Sequence, residues 1–148
     1  DLSGNDVGRK LLILARELDL KNEFSEGVIE NLIPEALQGL DAPGFLAQMS
    51  KLDPIFAKIK AGLAPDEVLR YMGVLGGDLQ KDKGQLSAGL SKVPKQSPLG
   101  QVKGADSIIE IYTESYGNRP IVIQGAGAGA TVTARGVFGD ILRIVEKN

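Results

Sequence analysis

The sequence contains no cysteine and no histidine. Without cysteine the chain cannot form a disulfide, a thiolate nucleophile or a thiolate zinc site. Without histidine it cannot build a serine–histidine triad within itself or use an imidazole as acid or base. We therefore expect no metal site. Any proton transfer that the chain performs must use lysine, aspartate, glutamate or tyrosine.

A strong charge imbalance and a long apolar run are also lacking. The net charge is -2, from 17 basic and 19 acidic residues, and there is no basic block. This argues against a nucleic acid or an anionic membrane surface as partner. No apolar run approaches the roughly 20 residues of a membrane span, and no signal-peptide pattern is present. Because the chain opens on Asp1 rather than Met, we expect it to be a piece of a longer polypeptide.

The hydrophobic pattern predicts an α+β domain over all 148 residues, a length sufficient for one core. Helices are predicted at 5–18, 44–61 and 132–145, and strands at 66–74, 85–93, 107–113 and 120–124. The strands should form one mostly antiparallel sheet of about four strands covered by helices, with 66–74 and 85–93 as a hairpin. Ser3 and Asp6 have the spacing of a capping box at the start of the first helix. The apolar stripe of that helix is predicted to be Val7, Leu11, Leu14, Ala15 and Leu18.

Asp6 and Lys10 stand four residues apart on the predicted first helix, so they should face the same way. One interpretation is an ordinary surface ion pair. The other is a chemical site, because the pair borders an unusually apolar helix and lies near Asp1 at the helix start. A lysine beside an aspartate keeps its ammonium form, and desolvation opposes this. The spacing alone favours the surface ion pair.

A glycine-rich turn precedes the last predicted helix. Gly125, Gly127 and Ala130 fit the G-x-G-x-x-G/A dinucleotide pattern. That pattern needs a βαβ unit, and nothing after the turn resembles a second strand. The turn either permits close packing of strand and helix or contributes to a nucleotide site built mainly elsewhere. Arg135, on the first turns of the helix, could meet a phosphate, although a surface position is the default.

Both ends of the chain resemble homoserine dehydrogenases. DLSGNDVGRKLLILAR resembles the catalytic helix of that family, and GAGAGATVTARGVFGDILRI resembles its C-terminal segment. VLRYMGV and SPLGQVKGADSIIEIYTESYGNRPIVIQG are similar to the catalytic domain between them, particularly in bifunctional aspartokinase–homoserine dehydrogenases. The resemblance is weakest through 21–60.

The resemblance implies an enzyme that interconverts L-aspartate 4-semialdehyde and L-homoserine with NAD(P)H, for threonine and methionine synthesis. Lys10 matches the proton donor, Asp6 a residue at the substrate's hydroxyl or aldehyde end, and Asp1 an acidic position near the substrate's amino group. Gly129 matches a glycine that contacts the nicotinamide end of the cofactor. Residues 1–148 would be the catalytic, substrate-binding and dimerisation domain. Its turn and helix, 125–146, would pack against a nucleotide-binding Rossmann domain that this chain lacks.

Further expectations follow from the same resemblance. The cofactor, NADP or NAD, would be bound mainly by the missing upstream domain, so the chain alone should be inactive. The enzyme should be a cytoplasmic homodimer that binds neither nucleic acid nor membrane. The alternative hypothesis is a non-catalytic dimerisation or regulatory domain that retained the fold.

Overall fold

A computed structural model of the protein describes residues 2–147. Two compact units make up the chain: the first extends to Val93 and the second begins at Pro94. The helices are α1 (Asn5–Glu17), α2 (Ala42–Ala47), α3 (Asp53–Ala61), α4 (Pro98–Gln101) and α5 (Ala130–Glu146), and the strands are β1 (Val28–Ile29), β2 (Glu67–Gly76), β3 (Gln85–Pro94), β4 (Asp106–Ile111) and β5 (Ile121–Ala126). The predicted α+β class is confirmed. Among the described residues, no helix has the length and apolarity to cross a bilayer.

The first unit is built on a three-stranded sheet in the order β1-β3-β2. β1 runs parallel to β3, with Val28 opposite Ser87. In the first part of β3, Leu86 and Ala88 are buried while their neighbours Gln85 and Ser87 are exposed, which is the period-2 pattern of a strand with one face on a core. The core cluster joins helix and sheet and consists of Leu11, Ala15, Leu20, Leu86 and Ala88. Burying each leucine contributes about 1.5–3 kcal/mol relative to exposure.

Helix α1 begins and ends close to its predicted limits, and its predicted apolar stripe is confirmed for Leu11 and Ala15, which are buried, and for Val7, which packs against the core. Gly8, Leu11 and Ala15 are buried, whereas Leu14 and Leu18 of the predicted stripe are 45% and 53% exposed. The prediction was wrong for Leu14 and Leu18 because it counted apolar side chains only. Gly8 has no side chain and lets the helix backbone approach the ring of Phe24 and the side chain of Ile29, which rotates the buried face toward it.

The N-cap of α1 is Gly4, one residue after the Ser3 position that the predicted capping box implies. The Ser3 hydroxyl oxygen nevertheless accepts the N–H of Asn5, the first residue of α1, at 3.3 Å.

The predicted helix over 44–61 is divided. α2 ends at Ala47, a 3₁₀ turn covers Met49–Leu52, and α3 begins at Asp53. Pro54 explains the break, because it has no N–H to continue an α-helical ladder and is tolerated only in the first turn of a new helix. It occupies that first turn in α3.

The second unit contains a two-stranded antiparallel sheet followed by α5. In its register Ile109 lies opposite Ile123 and Ile111 opposite Ile121. All six residues of β5 are exposed. α5 buries no residue either.

The prediction of one sheet of about four strands needs correction. All four predicted strands are present, and β2 and β3 are neighbours as expected, but the strands form two separate sheets. The parallel strand β1 was not predicted, since two residues are too few to show a period. Periodicity identifies a strand, whereas its partner is chosen by tertiary packing.

Candidate active site

The best candidate for chemistry is the exposed side of α1. Lys10 Nζ lies 2.8 Å from Asp6 Oδ2, and their side chains are 71% and 49% exposed. Their spacing of one helical turn brings them together, as the sequence predicts. The structure therefore presents an ammonium and a carboxylate in contact, both open to a small ligand.

The two groups affect each other electrostatically. The hydrogen bond from Lys10 and the positive charge of its ammonium lower the pKa of the Asp6 carboxyl below its ordinary value. Asp6 is therefore ionised at neutral pH. Such a carboxylate can accept a hydrogen bond from a hydroxyl group, while the ammonium can donate a proton to an aldehyde oxygen as it is reduced.

Apolar side chains border this pair on the same helix. Ile13 and Leu14, one turn after Lys10, are 60% and 45% exposed. Residues three and four apart are neighbours on a helix surface, so both flank the lysine stem. A charged pair with an exposed apolar border is more typical of a surface covered in a larger assembly than of a fully solvated helix face.

The remaining predicted substrate residue, Asp1, lies outside the described residues. The chain just after it is held in place, because the N–H of Leu32 donates to the carbonyl oxygen of Leu2 at 2.9 Å. That bond anchors the segment leading into α1.

The glycine turn connects β5 to α5. Gly129 is the N-cap of α5, with φ 130° and ψ 150°, a conformation suited to glycine. Its carbonyl oxygen accepts the N–H of Thr133 at 3.1 Å, so it begins the helical ladder. A Cβ at Gly129 would meet nothing within 4 Å. The turn thus offers open backbone where a flat ring could approach.

The two fingerprint glycines differ in what their surroundings require. A Cβ at Gly127 would overlap the hydroxyl of Ser107 and lie 2.7 Å from the Cβ of that serine, whereas a Cβ at Gly125 would meet nothing within 4 Å. Gly127 also donates its N–H to the carbonyl oxygen of Ala105 at 3.1 Å. Close packing against Ser107 of β4 therefore explains why position 127 is glycine.

Neither of two shallow depressions on the surface of residues 2–147 is lined by Asp6 or Lys10. One lies on the first turns of α5 and includes Arg135 and Phe138. The other, in the first unit, includes Asn22 and Lys83. No group of three or more acidic residues that could hold a metal ion occurs within 2–147.

Sequence reasoning missed the residues that support the helix start. Gly4 and Tyr71 contact each other beneath the first turn of α1. The tyrosine looked like an ordinary strand residue, because its partner is distant in the chain.

Comparison with known proteins gives a consistent family. The family model for homoserine dehydrogenase matches residues 1–142. The chain is 42% identical over 146 residues to the chloroplastic bifunctional aspartokinase/homoserine dehydrogenase 1 of Arabidopsis thaliana, covering 97% of this chain and 16% of that protein. It is 39% identical over 154 residues to homoserine dehydrogenase of Emericella nidulans, covering 99% of this chain and 41% of that protein.

A solved structure has the same fold. A Candida auris protein of unknown function superposes with a TM-score of 0.76 at 38% sequence identity, covering 99% of this chain and 40% of that chain. In each of these comparisons the chain spans less than half of the protein that it matches.

Proposed function

The chain belongs to the homoserine dehydrogenase family, and we propose that it is the substrate-binding and dimerisation domain of a longer enzyme, the parent enzyme. That enzyme would interconvert L-aspartate 4-semialdehyde and L-homoserine. The observation that carries the proposal is the Asp6–Lys10 pair, in contact at 2.8 Å and exposed on α1, within the stretch that the family model matches.

Lys10 is the proposed proton donor. Reduction of an aldehyde leaves negative charge on its oxygen, and an adjacent ammonium stabilises that charge and then protonates the oxygen. In the reverse direction the neutral amine accepts the proton from the hydroxyl of homoserine. Lysine suits this role in a chain that has no histidine.

Asp6 and Asp1 are the proposed substrate-binding residues. Asp6, whose pKa Lys10 lowers, stays charged over the neutral range and orients both the lysine and the oxygen end of the substrate. Asp1 would attract the substrate's ammonium group. These roles rest on the family match and on the position of Asp6 beside Lys10.

A nicotinamide cofactor, NAD or NADP, would supply or accept the hydride when bound. The open backbone at Gly129 fits contact with the edge of such a group. The described residues offer no site for the rest of the cofactor, because the glycine turn is followed by α5 and, among those residues, by no second strand. We therefore propose that the phosphates and ribose are held by a domain outside this chain, against which 125–146 would pack.

A homodimer and a cytoplasmic location are the remaining proposals. Four isoleucines form an exposed face on the β4–β5 sheet, Ile109, Ile111, Ile121 and Ile123, and such a face is suited to self-association. Several plant relatives carry the word chloroplastic in their names. Cell fractionation of the source organism would decide the compartment.

Steady-state kinetics of the parent enzyme tests the proposed role of Lys10. Lys10→Ala should lower kcat by roughly 10²–10⁴, the usual contribution of a positioned acid, with the KM for NADPH unchanged. Lys21→Ala is a matched control, because Lys21 is also 71% exposed and pairs with Asp82 at 3.0 Å. More than a tenth of normal kcat in Lys10→Ala would contradict the assignment and favour a non-catalytic dimerisation or regulatory domain.

A further inference from the structure

The N-cap residue of α1, Gly4, lies directly against Tyr71. Gly4 caps the helix with φ 75°, and its carbonyl oxygen accepts the N–H of Gly8 at 2.9 Å. A Cβ at Gly4 would overlap the Tyr71 hydroxyl and lie 2.9 Å from Ile29 Cγ2 and 3.0 Å from the carbonyl oxygen of Glu30. The start of the helix is therefore packed so closely against Tyr71, Ile29 and Glu30 that only glycine fits at position 4.

The hydroxyl of Tyr71 links the segments that pack against Gly4. It donates a hydrogen bond of 2.6 Å to the carbonyl oxygen of Glu30, so it connects β2 to the residue that follows β1. The Glu30 carboxylate in turn accepts the N–H of Leu90 at 2.6 Å. The Tyr71 ring packs on the core cluster of the first unit. Three strands are thus tied together beneath Gly4.

The state of the tyrosine suits this role. Burial raises the pKa of Tyr71, and the negative charge of Glu30 raises it further. The phenol is therefore protonated, and able to donate, at neutral pH.

We propose that Tyr71 is a positioning residue for the Asp6–Lys10 pair, acting through Gly4 and the first turn of α1. The inference rests on the proposed function. Asp6 is two residues beyond Gly4, and Lys10 contacts Asp6 one turn later. A shift or rotation at Gly4 is therefore transmitted to both groups by the rigid helix. The family match does not assign this role. We infer it from the contacts among Gly4, Glu30 and Tyr71.

The test is Tyr71→Phe in the parent enzyme, with Tyr112→Phe as the matched control. Both variants remove one phenolic hydroxyl that makes a hydrogen bond, since the Tyr112 hydroxyl donates to Glu110 Oε2 at 2.8 Å. Tyr71→Phe should lower kcat about tenfold, less than the roughly 100-fold that a 1 Å misplacement of reacting groups can cost. The KM for NADPH should not change. Tyr112→Phe should match the unmodified enzyme in both constants.

A second measurement separates positioning from a general loss of structure. In the Lys10→Ala background, Tyr71→Phe should lower kcat much less than tenfold, because the proton donor is gone and only Asp6 is left to position. A further fall of similar size would overturn the inference, as would a Tyr71→Phe enzyme with normal kcat. If Lys10→Ala itself keeps normal kcat, the proposed function fails, and this inference fails with it. If Lys10→Ala loses activity while Tyr71→Phe behaves like Tyr112→Phe, only the positioning role fails.

Discussion

The charged pair on α1 is distinguished by its neighbours and not by its own geometry. Lys10–Asp6 and Lys21–Asp82 have similar N–O distances, 2.8 and 3.0 Å, and equally exposed lysines. What differs is that exposed Ile13 and Leu14 follow Lys10 along its helix. A substrate on that surface would lie between charged and apolar groups, and water would be partly excluded once the surface is covered.

The electrostatic coupling within this pair gives a prediction at the residue scale. The Asp6 carboxyl should titrate below its ordinary value of 3.8, because Lys10 donates to its charged form. NMR titration of the side-chain carboxyl carbon measures the midpoint. Lys10→Ala should return it toward 3.8, and Lys21→Ala should leave it in place. A midpoint that Lys10→Ala does not move would show that the ion pair is absent in solution.

The same coupling sets the sign of the pH effect on stability. A carboxyl whose pKa is lower in the folded than in the unfolded state contributes stability above the unfolded value. That contribution is lost as the pH falls through the folded value. The difference in stability between the wild type and Asp6→Asn should therefore diminish below about pH 4, and acid unfolding curves of the two proteins would show it.

At the scale of elements, the glycine turn combines two separate requirements. Gly127 permits β5 to end close against Ser107 of β4, and Gly129 gives α5 its cap conformation. Gly125 pairs with Ser107 in the ladder but needs neither property. The dinucleotide sequence pattern would assign its glycines to nucleotide binding alone. The structure shows that their surroundings impose different requirements.

The different surroundings of Gly127 and Gly125 predict different effects of alanine substitution on stability. Gly127→Ala should lower the free energy of unfolding by about 1–3 kcal/mol, because its Cβ overlaps Ser107 and forces a shift of the strand. Gly125→Ala should be neutral or slightly stabilising, since alanine loses less backbone entropy than glycine in a strand. Urea unfolding of both variants measures the difference. Equal destabilisation by the two would contradict the proposed packing role.

At the scale of the whole molecule, the second unit shows how much of the apolar surface remains uncovered. α5 exposes large side chains that include Phe138, Ile144 and Val145 at 61%, 64% and 67%. An amphipathic helix normally buries one stripe, and this helix buries none. Its sequence is therefore suited to a surface that another domain or chain covers.

The first prediction at this scale concerns the cofactor. The chain by itself should not bind NADPH with useful affinity, because its glycine turn lacks the βαβ unit that cradles the pyrophosphate. Isothermal titration of residues 1–148 with NADPH tests this expectation. The parent enzyme under the same conditions is the control. A micromolar dissociation constant for the chain would show that the site is self-sufficient.

The second prediction concerns self-association. Sedimentation should show a dimer that forms through the isoleucine face of the β4–β5 sheet. Ile123→Lys, in the middle of that face at 55% exposure, should weaken the dimer, because it places a charge among apolar groups. Val28→Lys, at 75% exposure in the other unit, is the control. A monomer at high micromolar concentration would count against the dimer.

Four features could be read from the sequence alone: the α+β class, the four long strands, the first and last helices, and the family. It also determined that Asp6 and Lys10 would meet, because a four-residue spacing brings two side chains together on any α-helix. The prediction of one helix over 44–61 missed the break at Pro54, although its cause, a missing N–H, acts locally. These features depend on interactions within one element.

Tertiary structure decided what depends on residues far apart in the chain. It buried Gly8 and left Leu14 exposed on α1, and it divided the strands between two sheets. It also brought Tyr71 against Gly4, a contact across 67 positions of sequence. Hydrophobic periodicity indicates the apolar face of an element but not the partner against which that face packs. That choice follows from where backbones can approach, which here depends on glycines whose missing side chains no hydrophobic pattern records.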